Sequence, residues 1–185
     1  MFDDRRSKKL LLVAHCILNQ NAKLDACAHY PGAIREAAAA LLDAGVGIVQ
    51  LPCPELLCLG LDREAAPGSR PTVAKEDTRI AARMAEEAPT GACRALAAEI
   101  LRQLLEYRKH GFAVLGLLGI NGSPTCGVET TWADGAEREG PGVFIRQLAA
   151  ALDREGLAVE MAGIKAREAE AAVAAVHRLL RKERD

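Results

Sequence analysis

Three short runs along the chain are apolar almost without interruption. They are LLLVA at Leu10 to Ala14, VGIVQL at Val46 to Leu51 and FAVLGLLG at Phe112 to Gly119. A strand with one wet face alternates apolar and polar residues, whereas a continuous run of this length belongs to a strand covered on both faces. LAVEM, at Leu157 to Met161, is a weaker fourth. Helical spacing fills the intervals. Pro31 and Gly45 bracket a helix over Gly32 to Ala44, with proline at the start and glycine past the end. Cys93, Leu96, Ala97, Ile100, Leu101, Leu104 and Tyr107 recur every three or four residues, which predicts a helix over Gly91 to His110 stopped at Gly111. Pro141 and Gly156 bracket another, and a charged helix over Ala166 to Arg184 closes the pattern.

Strands that alternate with helices build βαβ units. The expectation is therefore one α/β domain over residues 1–185, a Rossmann-like three-layer sandwich with a mostly parallel sheet of about four strands. The segment Asp62 to Thr90 breaks the rhythm: it is polar, holds Pro67, Pro71 and Pro89, and offers a short helix near Lys75 to Glu87. Its predicted role is to cover a site.

Composition narrows the function classes. Half of the 185 residues are apolar and only 3% are aromatic, and the formal net charge is -1. A nucleic-acid surface needs a clustered positive field, which this balance does not supply. No apolar run approaches the ~20 residues of a membrane span. The start, MFDDRRSKKLLLVAHC, has the outline of an export signal, but its apolar part breaks at His15 and polar Asn19, Gln20 and Asn21 follow. A cytoplasmic protein is expected, with neither membrane nor nucleic acid as partner, and nothing in the chain specifies an oligomeric state. In that compartment six cysteines are thiols, metal ligands or catalysts rather than disulfides.

Cysteine follows each of the first three strands: Ala14-His15-Cys16, then Leu51-Pro52-Cys53-Pro54-Glu55, then Gly122-Ser123-Pro124-Thr125-Cys126-Gly127. The loops after parallel strands leave a sheet along one edge, where open α/β folds bind ligands. Cys16, Cys53 and Cys126 are thus predicted to meet in space. Three converging thiolates suit an iron–sulfur cluster or a zinc ion with one open position. Cys27, Cys58 and Cys93 are read as packing residues. Glu55 is either a proton carrier or a helix-start carboxylate, and Ser123 either binds a ligand or shapes the turn before Pro124. His15 is read equally as a residue of the core or beside a ligand and as a catalyst, and Arg63 and Arg70 are read as solvated charges ahead of contacts to an anionic substrate.

HCILNQNAKLDA, LPCPELLCLGL and GINGSPTCGVE, in this order and spacing, resemble the thiouracil desulfidase family, over roughly Leu11 to Phe144. Around Cys16 that family more often reads SxCLLG followed by an Arg-Tyr-Asp-Gly stretch, where this chain has Asn19 and Lys23-Leu24-Asp25-Ala26. The resemblance implies that Cys16, Cys53 and Cys126 hold a 4Fe-4S cluster, with Glu55 as the acidic catalytic residue and Ser123 as the active-site serine. It implies an enzyme that removes sulfur hydrolytically from a small thiolated heterocycle such as a thiopyrimidine, releasing hydrogen sulfide. A non-catalytic iron–sulfur or zinc-binding carrier or sensor is the alternative. A cysteine nucleophile is disfavoured, because the elbow pattern needs glycines where Pro124 and Val128 stand.

Overall fold

β1 (Lys9–Val13) lies inside a sheet whose ladders are all parallel. It pairs with β2 (Gly47–Gln50) on one side and with β3 (Ala113–Ile120) on the other, and β3 in turn pairs with β6 (Met161–Ile164). The strand order is β2-β1-β3-β6. The computed structural model describes residues 2–181.

Alternation along β1 explains why the run had to be apolar throughout. Leu11 and Val13 enter a core shared with α2 (Arg35–Asp43) and α7 (Ala169–Arg181). Leu10 and Leu12 enter a second core with α4 (Val73–Met84), α5 (Glu87–Lys109) and α6 (Val143–Arg154). Helices therefore cover both faces, as the unbroken runs predicted. Gly116 in β3 lets one layer close tightly, because a Cβ there would lie 2.7 Å from the Leu179 side chain and 2.9 Å from the Glu160 carbonyl oxygen.

Several boundaries differ from the expectation. α5 starts at Glu87 and takes in Pro89, since proline in a first helical turn forfeits no intrahelical bond. The fourth strand begins where LAVEM ends: Leu157 and Val159 only pack against the second core, and pairing starts when the Leu117 N–H reaches the Glu160 carbonyl at 2.8 Å. The predicted last helix begins at Ala169, and its end falls on residues 182–185, outside the described residues.

A hairpin of β4 (Thr130–Ala133) and β5 (Ala136–Glu139) was not anticipated. Its signal is the Asp134-Gly135 pair. Both residues have positive φ, 52° and 75°, as a two-residue turn of the hairpin type requires. Two short helices, α1 (His15–Leu18) and α3 (Pro54–Leu59), follow β1 and β2 directly. No helix among the described residues is long and apolar enough to cross a membrane.

Leu117 is fully buried in the second core. Leu117→Ala should lower the free energy of unfolding by ~2–5 kcal/mol, read as a shift of the urea midpoint at unchanged slope.

Candidate functional site

Strand order reverses direction between β1 and β3, because the chain leaves β1 towards β2 and leaves β3 towards β6. Open α/β sheets place their ligand crevice at such a point, beyond the carboxyl ends of the strands. A cavity of about 470 Å³ lies there, and Cys16, Cys53 and Cys126 all line it. Glu55 and Ser123 line it as well. The five residues singled out from the sequence are thus brought to one place. A wider groove of about 640 Å³ adjoins it, sharing Lys23, Leu24 and Val73, and holds no cysteine.

Each cysteine sits where backbone bonding leaves little freedom. Cys16 is the second residue of α1, and its carbonyl accepts from the Gln20 side-chain amide. Gln20 is buried, and its Oε1 accepts from the His29 N–H at 3.1 Å. Cys53 precedes α3, with Pro54 opening the helix and Glu55 in its first turn. Around Cys126 the Ser123 hydroxyl oxygen accepts from the N–H groups of Thr125 and Cys126, at 3.2 and 3.0 Å. The Ser123 carbonyl accepts from the Gly127 N–H and the Thr131 hydroxyl, both at 3.0 Å. Glycine at 127 is obligatory, since a Cβ would lie 2.2 Å from the Thr130 carbonyl oxygen.

Ser123 also reaches across to the second loop, donating to Glu55 Oε1 at 3.4 Å. The other Glu55 oxygen accepts from the Arg63 Nε at 3.2 Å. Arg63 was read from the sequence as a solvated charge, and the structure corrects this: its side chain is 1% exposed. It donates further to the carbonyls of Gly60 (2.7 Å), Leu61 (3.1 Å) and Ala22 (2.6 Å), and its guanidinium lies 4.0 Å from the Cys53 sulfur. Its backbone is left-handed, φ 55°, a conformation that disfavours any side chain; its carbonyl is held by Arg79 at 2.7 Å. Arg70, by contrast, is exposed and borders only the wider groove. His15 is half-buried and contacts the Asn19 amide rather than the core.

Sequence reasoning missed several further lining residues, among them Cys27, Asp77 and Trp132. Cys27 had been read as a packing residue, and it is instead a fourth thiol on the cavity wall. Asp77 stands on α4, the helix of the polar excursion, and Trp132 on the hairpin. The excursion does cover the site, and the Trp132 indole N–H donates to the Thr78 hydroxyl at 2.9 Å, tying hairpin to helix. Cys93 is fully buried in the second core and Cys58 packs on it.

Electrostatics in the cavity favour protonated thiols. Burial pushes Cys53 up to about 11, reinforced by Glu55 and opposed by the Leu56 N–H and Arg63. Burial likewise raises Cys16, against the pull of Lys23, and raises Cys126 well above the ordinary thiol value, with Cys53 and Glu55 adding to it. A metal centre reverses such a balance by displacing the protons. Among the described residues no group of three or more His, Cys, Asp or Glu is arranged to hold a metal ion. Cys16, Cys53 and Cys126 are soft donors on the wall of one cavity.

Among curated proteins, the chain is similar to the uncharacterized protein MJ0003 of Methanocaldococcus jannaschii, with 35% identity over 123 residues, 66% of this chain and 70% of that one. No protein-family model matches the chain, and no solved structure does.

Removing Arg63 would leave three loop carbonyls and Glu55 without their shared donor. Arg63→Ala should cost ~3–5 kcal/mol in urea unfolding, and Arg63→Lys should recover less than half, because an ammonium cannot reproduce the planar fork.

Proposed function

We propose that this chain, which belongs to the same family as the uncharacterized Methanocaldococcus jannaschii protein MJ0003, is an iron–sulfur-dependent desulfidase acting on a small thiolated heterocycle such as a thiopyrimidine. One observation carries the reading. Three cysteines from three strand ends and a hydrogen-bonded Glu55–Ser123 pair line one cavity at the point where strand order reverses. The resemblance of the three cysteine-bearing loops to the thiouracil desulfidases supports it.

Cys16, Cys53 and Cys126 would hold a 4Fe-4S cluster. Bound there, such a cluster would supply Lewis-acid activation of a thiocarbonyl sulfur. The remaining work falls to the chain's own groups. Glu55 is fixed by Arg63 on one oxygen and by Ser123 on the other, so its carboxylate has one orientation towards the cavity. From there it accepts a proton from the water that attacks the ring carbon. Ser123 has its oxygen committed to two backbone N–H groups and its hydroxyl proton to Glu55, so it orients the carboxylate and the Cys126 loop together. Overall, water replaces sulfur on carbon with no net electron transfer.

Protein reconstituted without oxygen should be brown and contain about four irons and four sulfides per chain. Replacing any one of Cys16, Cys53 and Cys126 by Ser should abolish that content. Zinc uptake alone under those conditions would speak for a zinc module.

Glu55→Gln separates an enzyme from a carrier or sensor. It should keep normal cluster content and lose at least ~10² in the rate of thiopyrimidine desulfidation, the usual worth of general acid–base help. Unchanged turnover would remove Glu55 from the mechanism, and cluster-loaded wild-type protein inert towards thiolated bases would favour the carrier.

A further inference from the structure

Three carboxylates line the thiol cavity, and two of them are already engaged. Glu55 is bound by Arg63 and Ser123. Glu137 accepts from the Thr130 hydroxyl at 2.6 Å and from Lys165 at 3.0 Å. Asp77 lines the same cavity, and none of the hydrogen bonds or ion pairs among the described residues uses its carboxyl. A partly buried carboxyl ordinarily finds a partner. Here the group left for it to meet is whatever fills the cavity.

The backbone that carries Asp77 is anchored on both sides. Its neighbour Glu76 is paired with Arg79 at 2.6 Å, and Arg79 also holds the Arg63 carbonyl. Its other neighbour, Thr78, accepts from Trp132. The backbone at Asp77 is therefore held in place while its carboxyl is left unbonded on the cavity wall.

We infer that Asp77 is a second catalytic carboxyl, the acid that delivers a proton to the departing sulfur while Glu55 takes one from the attacking water. The inference rests on the desulfidase reading. The steps balance. Water oxygen forms the bond to the ring carbon and gives a proton to Glu55. The carbon–sulfur π pair moves to sulfur, which takes the proton of Asp77; the remaining carbon–sulfur bond then breaks with its pair on sulfur, as the new hydroxyl becomes a carbonyl and gives its proton to that sulfur. Asp77 regains a proton as Glu55 loses one and sulfur leaves as hydrogen sulfide, so no oxidant or reductant is required. Two carboxyls with opposite tasks need different surroundings. Glu55 has a guanidinium against it, whereas Asp77 has none.

The charged groups around Asp77 agree with its task. Burial, with Glu55 and Glu76 adding to it and Lys23 opposing, pushes Asp77 up to about 6. Cys27 and Asp25 lie in the loop beside Lys23, and the Glu137–Lys165 pair faces from the hairpin side. An acid of this kind works while protonated, so its contribution fades as pH rises through about 6.

The test compares wild type, Asp77→Asn and Asp77→Glu after anaerobic reconstitution, with a thiopyrimidine as substrate. Wild-type kcat/KM should fall above pH about 6, Asp77→Asn should lose that limb and about 10²-fold of rate below it, and Asp77→Glu should keep the limb. Iron content and circular dichroism of Asp77→Asn should match wild type, which separates chemistry from folding. Carboxyl carbon NMR, independent of turnover, should show one aspartate titrating near 6 in wild type and none in Asp77→Asn. Wild-type turnover with an unchanged profile in Asp77→Asn, or an ordinary aspartate titration, overturns the role of Asp77 alone. Absence of turnover by cluster-loaded wild type overturns the desulfidase reading and this role with it.

Discussion

The Arg63 guanidinium is removed from water and spends its donors on the carbonyls of Gly60, Leu61 and Ala22 and on Glu55. A cation that has lost its hydration must be satisfied by fixed acceptors, or the site would not tolerate it. Those acceptors belong to the segment after Cys16 and to the segment after Cys53. Meeting them therefore locks the first two cysteine loops to each other. Ser123, through Glu55, adds the third. The left-handed backbone at Arg63 shows that local conformational preference yields to this bonding.

The sheet explains why those loops were near enough to be locked. Parallel strands send every following loop to one edge, so Cys16, Cys53 and Cys126 share that edge although 110 positions separate the first from the last. This much was legible from the apolar runs, since their lack of alternation can mean only strands covered on both faces. The strand ends, with their glycines and prolines, located the cysteines. What remained illegible depends on tertiary distance. Arg63 looks like any arginine in a polar stretch, and only the carbonyls brought round it in space reveal its burial. Asp77 and Trp132 lie on elements whose packing over the cavity follows from no local pattern. The Asp134-Gly135 turn was visible, but its flanking runs of four residues are too short and too polar to announce strands.

Desolvation has two opposed effects in this cavity. It raises the thiols and Asp77 together, so the protonated form is favoured in each. Any cationic centre that enters must expel thiol protons, and the same dry walls then strengthen each sulfur–metal bond.

The pairing of β1 with β3 joins segments about a hundred positions apart, and the loop bearing Cys126 is further pinned by backbone bonds from Gly142, Val143 and Phe144. During synthesis, therefore, the third thiol has no place to occupy until most of the chain has left the ribosome. Closing so large a loop is slow compared with helix formation. A half-made chain exposes two cysteines and an unpaired strand edge, a state prone to wrong association. The cavity that the three thiols line is in this way complete only in finished molecules, and the topology itself sets the order of assembly.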